Sequence, residues 1–271
     1  MSITYQIGGR FGNNLYQYFA CKIIGKILNK KYEFIGNFSK DLQSSSFIIT
    51  DNNFYDVYDE TIKVNTDNIV LSGYFQSVRH INENIDFIRE IFTENNEEQI
   101  NNAYKIKDIV NSCKNESVTK NSLLVHIRLD DFFHQGYNSE IIDPAYLKKY
   151  IEDILNEEKL DKCIIIVDEL KQEWEKKYIN ELLKSESSET RNNDKSIEMQ
   201  SNSLLKDFSL IYNSEYTILC RSTFGWISTL LSVINKKNWF PEHDIDKMRV
   251  IKKFNINSVH FKPQYYTSKY L

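Results

Sequence analysis

Short apolar runs that end in glycine or charge, each followed by apolar residues at helical spacing, limit what this chain can fold into. MSITYQI alternates and then meets glycine, and LYQYFACKIIGKILNKK follows with a helical stripe and a Lys-rich end. NIVLSGYFQSV reads as a strand ending near Gly73, and HINENIDFIREIF carries a stripe through Ile81, Ile85, Ile88 and Phe92. SLLVHIRLDDFF is a β-branched run broken by charge at its end; DPAYLKKYIEDIL then starts with Asp143 as a cap and Pro144 at the first helical position. KCIIIVDEL and QEWEKKYINELLK repeat the unit. SLLKDFSLIYNSEY reads as a helix, and TILC with RSTFGWISTLLSVI closes the series. Strands alternating with helices in this way predict an α/β class with mainly parallel sheets.

A chain of 271 residues is at the size where single cores stop growing, ~250 to 300 residues, so two domains are expected. The weakest seam, NSCKNESVTKNS at residues 111–122, separates an N-terminal domain over 1–115 from a C-terminal domain over 116–271. KSESSETRNNDKSIEMQSNS, at about 184–203, is polar and low in complexity, and reads as a mobile insertion in the second domain. A net charge of −4 gives no general attraction to nucleic acid, so an anionic ligand would need a local site. Cys21, Cys113, Cys163 and Cys220 are widely spaced in or beside apolar runs, which reads as buried free thiols with no zinc or redox pair. No stretch approaches the ~20 apolar residues of a membrane span, and no basic flank leads into a signal core, so the expectation is a soluble, cytoplasmic chain.

In open α/β sheets ligands bind beyond the carboxyl ends of strands, and the marked segments fall there. QIGGRFGNN is either a turn needing glycine dihedrals or a backbone that approaches an anion at a helix N-terminus. Asn13 and Asn14 would cap that helix or face the ligand. Arg128 is a planar fork suited to phosphate, or the partner of Asp130 or Asp131. His126, one strand period away, faces the same side, as a core or rim residue or as a ligand contact. Asp168 can accept paired N–H donors from a base such as guanine, or cap the following helix. Ser222 and Thr223 lie at a strand-to-helix turn, where they cap the helix or bind an anion.

Together these segments resemble the α1,2-fucosyltransferases of glycosyltransferase family 11 and, beyond them, the α1,6- and protein O-fucosyltransferases. GGRFGNNLYQYFA is similar to the family's G-G-x-G-N-x-x-x-Q-Y start, and LSGYFQSVRHI to its G-Y-x-Q-S segment. HIRLDDF resembles H-x-R-R-x-D at His126, Arg128 and Asp131. DPAYLKKYI resembles the helix that follows, IIIVDELKQEW a strand ending in S-D-D, RSTFGWISTLL an N-S-T-F-S-W-W-G segment, and NKKNWFP a terminal K-x-W-F-x-P-like stretch.

The resemblance implies a fold of two Rossmann-like domains facing a cleft, the glycosyltransferase-B type. It implies an inverting transfer of fucose from GDP-fucose to a glycan hydroxyl, α1,2 to galactose, without metal or cofactor; the alternatives are another GDP-sugar or a protein acceptor, or a homologue that binds nucleotide sugar or glycan without turnover. Arg128 would bind the β-phosphate, His126 and Asp168 the nucleoside, and Ser222, Thr223 and Phe224 phosphate and base. Gly9, Gly12 and Asn13 would approach the diphosphate or fucose from the first domain, with Tyr74 and Gln76 on the acceptor side. The resemblance leaves Asp131, Asp130, Glu169 or a phosphate oxygen as the base. The chain departs from the pattern at Leu129, where the family has a second arginine, at Asp130 for glycine and at Val167 for serine. Trp226 and Ile227 replace W-W, and a second cation would have to come from Arg10, Arg79 or Arg221.

Overall fold

The computed structural model describes residues 2–36, 45–94, 96–117, 119–129, 141–184, 195–220, 222–241 and 258–265. The chain divides into two compact units between Asn111 and Ser112.

The first unit runs β1 (Ser2–Tyr5), α1 (Phe11–Ile27), β2 (Lys31–Tyr32), β3 (Phe47–Thr50), α2 (Phe54–Tyr58), β4 (Asn68–Ser72), α3 (Val78–Glu83) and α4 (Ile85–Thr93). Its sheet has the order β2-β1-β4-β3 and every pairing is parallel. Sheets of this kind are covered on both faces, which explains the continuous apolar strands: Ile3, Ile69, Val70 and Leu71 are all buried. The helical stripe predicted over 81–92 is interrupted at Asn84, which ends α3 and precedes α4. The division between units falls inside α5 (Ile106–Asn115), a helix burying Ile106, Ile109, Val110 and Cys113. Its exposed face supplies the Asn, Lys and Ser that read as a seam in the sequence.

The second unit continues with β5 (Thr119–Ile127), α6 (Pro144–Glu157), β6 (Lys162–Val167), α7 (Glu173–Leu183), β7 (Ser196–Gln200), α8 (Leu204–Tyr212), β8 (Ser214–Leu219), α9 (Thr223–Leu231), β9 (Lys237–Pro241) and β10 (Ser258–Phe261). Its sheet order is β10-β9-β8-β5-β6-β7, again all parallel. Read from the β7 edge this is the doubly wound 3-2-1-4-5-6 order of dinucleotide-binding folds. Alternation along the strands separates two faces. Leu123, Val125 and Ile127 of β5 and Cys163, Ile165 and Val167 of β6 join one core with α6 and α7 residues such as Leu147, Ile151, Tyr178 and Ile179. His126 and Ile166, paired in register, have the opposite parity.

Asp143 caps α6 as its sequence predicts, accepting from the N–H groups of Ala145 and Tyr146 at 3.0 Å with Pro144 next in line. One expectation is corrected. Part of the supposed insertion, Ser196–Gln200, is an edge strand parallel to β6. It reads as a polar segment because edge strands meet water and carry few apolar residues. Residues 185–194 lie outside the described residues. All four cysteines are buried and free, and burial raises each thiol, Cys113 and Cys220 to about 12, which makes them poor nucleophiles. No described helix is long and apolar enough to cross a membrane.

Candidate functional site

In the second sheet the chain leaves β5 toward β6 on one side and returns to β8 on the other, so the switch point lies between β5 and β8. Ligands of such sheets bind beyond the strand ends at that point. His126 and Arg128 lie at the end of β5, and Ser222, Thr223 and Phe224 open α9 after β8. Ser222 occupies the N-cap position by backbone, but its side chain makes no capping bond. Its Oγ is buried without a hydrogen-bond partner among the described residues. The helix-cap explanation of this serine therefore fails, and a buried hydroxyl at the positive end of a helix dipole stands where an anion is favoured.

His126 Nδ1 is the second buried polar atom there without a partner among the described residues. Burial, with a smaller push from the Arg128 guanidinium, lowers its pKa to about 3, so the ring is neutral at ordinary pH. It can offer one donor and one acceptor but no charge. The imidazole lies 5.5 Å from the Phe224 ring, which meets Phe208 of α8 edge-on at 5.7 Å. Gly225 permits this packing: a Cβ there would lie 3.1 Å from both His126 Nδ1 and Leu219 Cδ2.

Asp168 is exposed just past β6. It does not cap α7, whose first turn is closed by Glu175 accepting from the N–H groups of Lys171 and Gln172 at 2.6 and 2.7 Å. Sequence reasoning missed its neighbour Asp207. This carboxyl on α8 is 8% exposed and accepts from Asn202 Nδ2 at 2.9 Å. Burial raises its pKa to about 6; the Asn202 bond opposes the shift and the nearby Asp168 charge adds to it. The available signal was one acid inside the apolar stripe of LLKDFSLIY, beside the aromatic that meets Phe224.

Leu129, where the family has its second arginine, is 1% exposed and belongs to the α6–α7 core. Backbone alternation turns this position away from the face that carries His126. Arg79 is held by Asp59, with N···O distances of 2.9 and 2.6 Å, and by Glu83 at 3.2 Å. It is therefore not a spare cation. Asp130, Asp131 and Arg221 lie outside the described residues.

The first sheet has its own switch point, between β1 and β4, and the glycine turn and GYFQS are the loops at it. α1 begins at Phe11, so Gly12 and Asn13 are in its first turn, with Gly12 buried; Arg10 is the N-cap and neither Asn13 nor Asn14 caps. Gly9 is exposed with φ +69°, and a Cβ there would fall 2.0 Å from Asn13 Nδ2. Only glycine fits at this position. Asn14 Nδ2 donates to the Gly8 carbonyl at 3.1 Å. Gln17, 1% exposed, donates from Nε2 to the carbonyls of Gln6 and Gly73 at 3.0 and 2.7 Å and accepts at Oε1 from Gly8 N–H at 3.3 Å. Gln76 Nε2 donates to Asn13 Oδ1 at 2.6 Å, and Tyr74 beside them is 47% exposed.

Among the described residues no group of three or more His, Cys, Asp or Glu side chains is placed to hold a metal ion. A comparison with curated protein sequences finds no match. Among solved structures the fold is similar to a mutant of Arabidopsis thaliana FUT1 in complex with GDP, with a TM-score of 0.53 and 9% identity over 88% of this chain and 70% of that chain. It also matches POFUT1 in complex with GDP-fucose, with a TM-score of 0.48 and 11% identity over 88% of this chain and 97% of that chain. The sequence profile of Glycosyl transferase family 11 matches residues 2–238, taking in both parallel sheets except β10 and the last residues of β9. With that profile spanning both switch points, this chain belongs to glycosyl transferase family 11.

Proposed function

We propose that the protein transfers fucose from GDP-fucose to a hydroxyl of a glycan, α1,2 to galactose, with inversion and without a metal. The observation that supports this reading is the pair of buried polar atoms, Ser222 Oγ and His126 Nδ1, that have no partner among the described residues, beside Arg128 at the switch point of the second sheet. Buried polar groups ordinarily find partners, and a diphosphate with its nucleoside supplies them. Arg128 pairs with the β-phosphate, each charge-assisted hydrogen bond contributing roughly 1.5 to 3 kcal/mol. Ser222, Thr223 and the α9 dipole hold the phosphates, and Phe224 with Phe208 flanks the base. Asp207 and Asp168 present carboxylates to guanine N1–H and N2–H.

The bond from fucose C1 to the β-phosphate oxygen breaks, its electron pair leaving on GDP, and the acceptor oxygen bonds to C1 from the opposite face. Such transfer passes through an oxocarbenium-like centre, and donors aimed at the departing phosphate lower its energy most. The acceptor proton passes to a carboxylate, Asp131, Asp130 or Glu169, or to a phosphate oxygen. By the family resemblance, Asn13 and Gly9 are read as sugar contacts and Tyr74 and Gln76 as acceptor contacts.

A panel of GDP-sugars tests the donor, reading GDP release and transfer to a glycan array. Transfer from GDP-fucose to β-galactosides is expected; use of GDP-mannose alone overturns the assignment. Activity is expected to survive EDTA. If chelation abolishes it, Asp244 and Asp246, a D-x-D tripeptide, are the first residues to substitute. The buried Leu129 favours a second reading, a homologue that binds GDP-sugar without turnover. Calorimetric binding of GDP with no transfer to any acceptor supports it.

A further inference from the structure

The GYFQS loop of the first unit is gripped from two sides by residues that the function above does not use. On one side Gln17 Nε2 holds the Gly73 carbonyl at 2.7 Å, and the same side chain binds the Gln6 carbonyl and the Gly8 amide of the glycine turn. On the other, Asp51, one residue past β3, accepts from the N–H of Tyr74 at Oδ2 (3.0 Å) and of Phe75 at Oδ1 (2.8 Å). Gly73 makes room for it: a Cβ there would lie 2.5 Å from Asp51 Oδ2.

Phe75 has φ +51°, a left-handed backbone that a bulky residue adopts only when its surroundings impose it. Its ring is 2% exposed and 5.2 Å from Phe54, so packing fixes the side chain while Asp51 fixes the amide. What this strained turn presents is the half-exposed Tyr74, whose Cε1 lies 3.0 Å from a Cβ position at Gly9, and Gln76 bonded to Asn13. A loop with no task beyond joining β4 to α3 has no need of left-handed strain held by a carboxylate from a third element.

We propose that Asp51 and Gln17 are positioning residues, a clamp that holds Gly73–Gln76 in the one conformation that sets Tyr74 and Gln76 beside Asn13 for transfer. The proposal rests on the glycosyl-transfer reading above. It places the control of acceptor geometry in two residues that touch neither donor nor acceptor, and it separates that control from nucleotide binding, which the second unit carries.

The test uses the full chain and the variants Asp51→Ala, Asp51→Asn and Gln17→Met, followed by amide hydrogen exchange, GDP calorimetry and transfer kinetics. In Asp51→Ala the Tyr74 and Phe75 amides are expected to exchange on the order of tenfold faster, since their acceptor is gone and local opening controls the rate. Transfer kcat is expected to fall ~10-fold with a raised acceptor KM, as misplacement of about an ångström costs ten- to a hundredfold. GDP affinity should stay within about twofold of wild type. Asp51→Asn, keeping one acceptor oxygen, should fall between the two. The exposed Asp51 carries the test if the buried Gln17→Met variant does not fold.

Unchanged exchange at Tyr74 and Phe75 overturns the clamp. Faster exchange with wild-type kcat and acceptor KM overturns its positioning role, and so does a loss of GDP affinity that parallels the loss of activity. A wild-type chain that neither hydrolyses nor transfers GDP-fucose overturns the transfer reading and the positioning role with it, while the exchange rates still decide the clamp.

Discussion

The two switch points are built on the same sheet logic but spend their polar groups in opposite ways. At the first, Gln17, Asn14 and Asp51 are hydrogen-bonded to the loops around them, and the hydrogen bonds end on backbone carbonyls and amides of those same loops. At the second, Ser222 Oγ and His126 Nδ1 are buried with no partner among the described residues. A satisfied network fixes a shape. An unsatisfied one lowers the stability of the fold, as Tyr16 Oη and His80 Nε2 in the first unit also do, and a bound ligand is one way to complete it. The hydrogen bonds at the first switch point therefore fix its loops, and the second is where the proposed donor site is put to the test.

The strongest way to break this contrast is to remove the charge at the second point. Arg128→Ala is expected to lower transfer by ~100-fold or more, the usual loss when a donor to transition-state charge is deleted. Survival of activity within about a few-fold would mean that Arg128 does not bind the phosphate and that the second point is not the donor site.

Next in size is a pair of substitutions that should move stability and binding in opposite senses. Ser222→Ala removes a buried hydroxyl that has no partner among the described residues, so the melting stability should hold or rise by up to ~1 kcal/mol. GDP affinity should fall ~10-fold, the worth of one hydrogen bond to a charged group. Gln17→Met should do the reverse: it leaves two carbonyls without their donor and costs ~1 to 3 kcal/mol of stability, while GDP affinity is kept. Thermal denaturation and calorimetry on both variants decide this. If Ser222→Ala destabilises the fold, its hydroxyl is a structural group after all.

Much of the fold was legible because a parallel sheet covered on both faces writes itself as continuous apolar runs, and those runs were read at β4, β5, β6 and β8, while β1 was read from its alternation before the glycine turn. The strand β7 was not legible, since an edge strand exposes polar residues and SIEMQ carries no apolar run. The candidate site of the second unit was legible as a position in the fold: Arg128, His126 and Ser222 sit at strand ends where charge or hydroxyl interrupts the pattern. Asp207 was hidden because its pattern is a helical stripe, in which one acid reads as part of the solvent face. Asp51 was hidden, and the role of Gln17 was hidden although the residue stands in the quoted N-x-x-x-Q-Y start, for another reason. Their role lies in hydrogen bonds to backbone groups distant in sequence, such as Gln17 to Gly73, and neither periodicity nor spacing records those bonds.

The smallest effect separates Asp207 from the rest of its site by pH. Its pKa is raised to about 6 from an unperturbed 3.8, so the folded chain binds the proton more tightly than the unfolded one. The stability this group contributes is present in full below the unfolded value and is lost as pH rises through about 6. Nucleotide binding runs the other way. Guanine N1–H and N2–H need an ionised acceptor, so affinity for GDP-fucose, whose doubly esterified diphosphate does not titrate near 6 as the terminal phosphate of GDP does, should fall as pH drops through about 6, reaching roughly fourfold weaker at pH 5.5 for a single linked proton. His126 cannot produce this inflection, because its pKa of about 3 keeps it neutral throughout the range. Asp207→Asn should weaken binding and abolish the inflection together. An inflection near pH 6 that survives in the variant would assign the linked proton elsewhere and remove Asp207 from the base-recognition site.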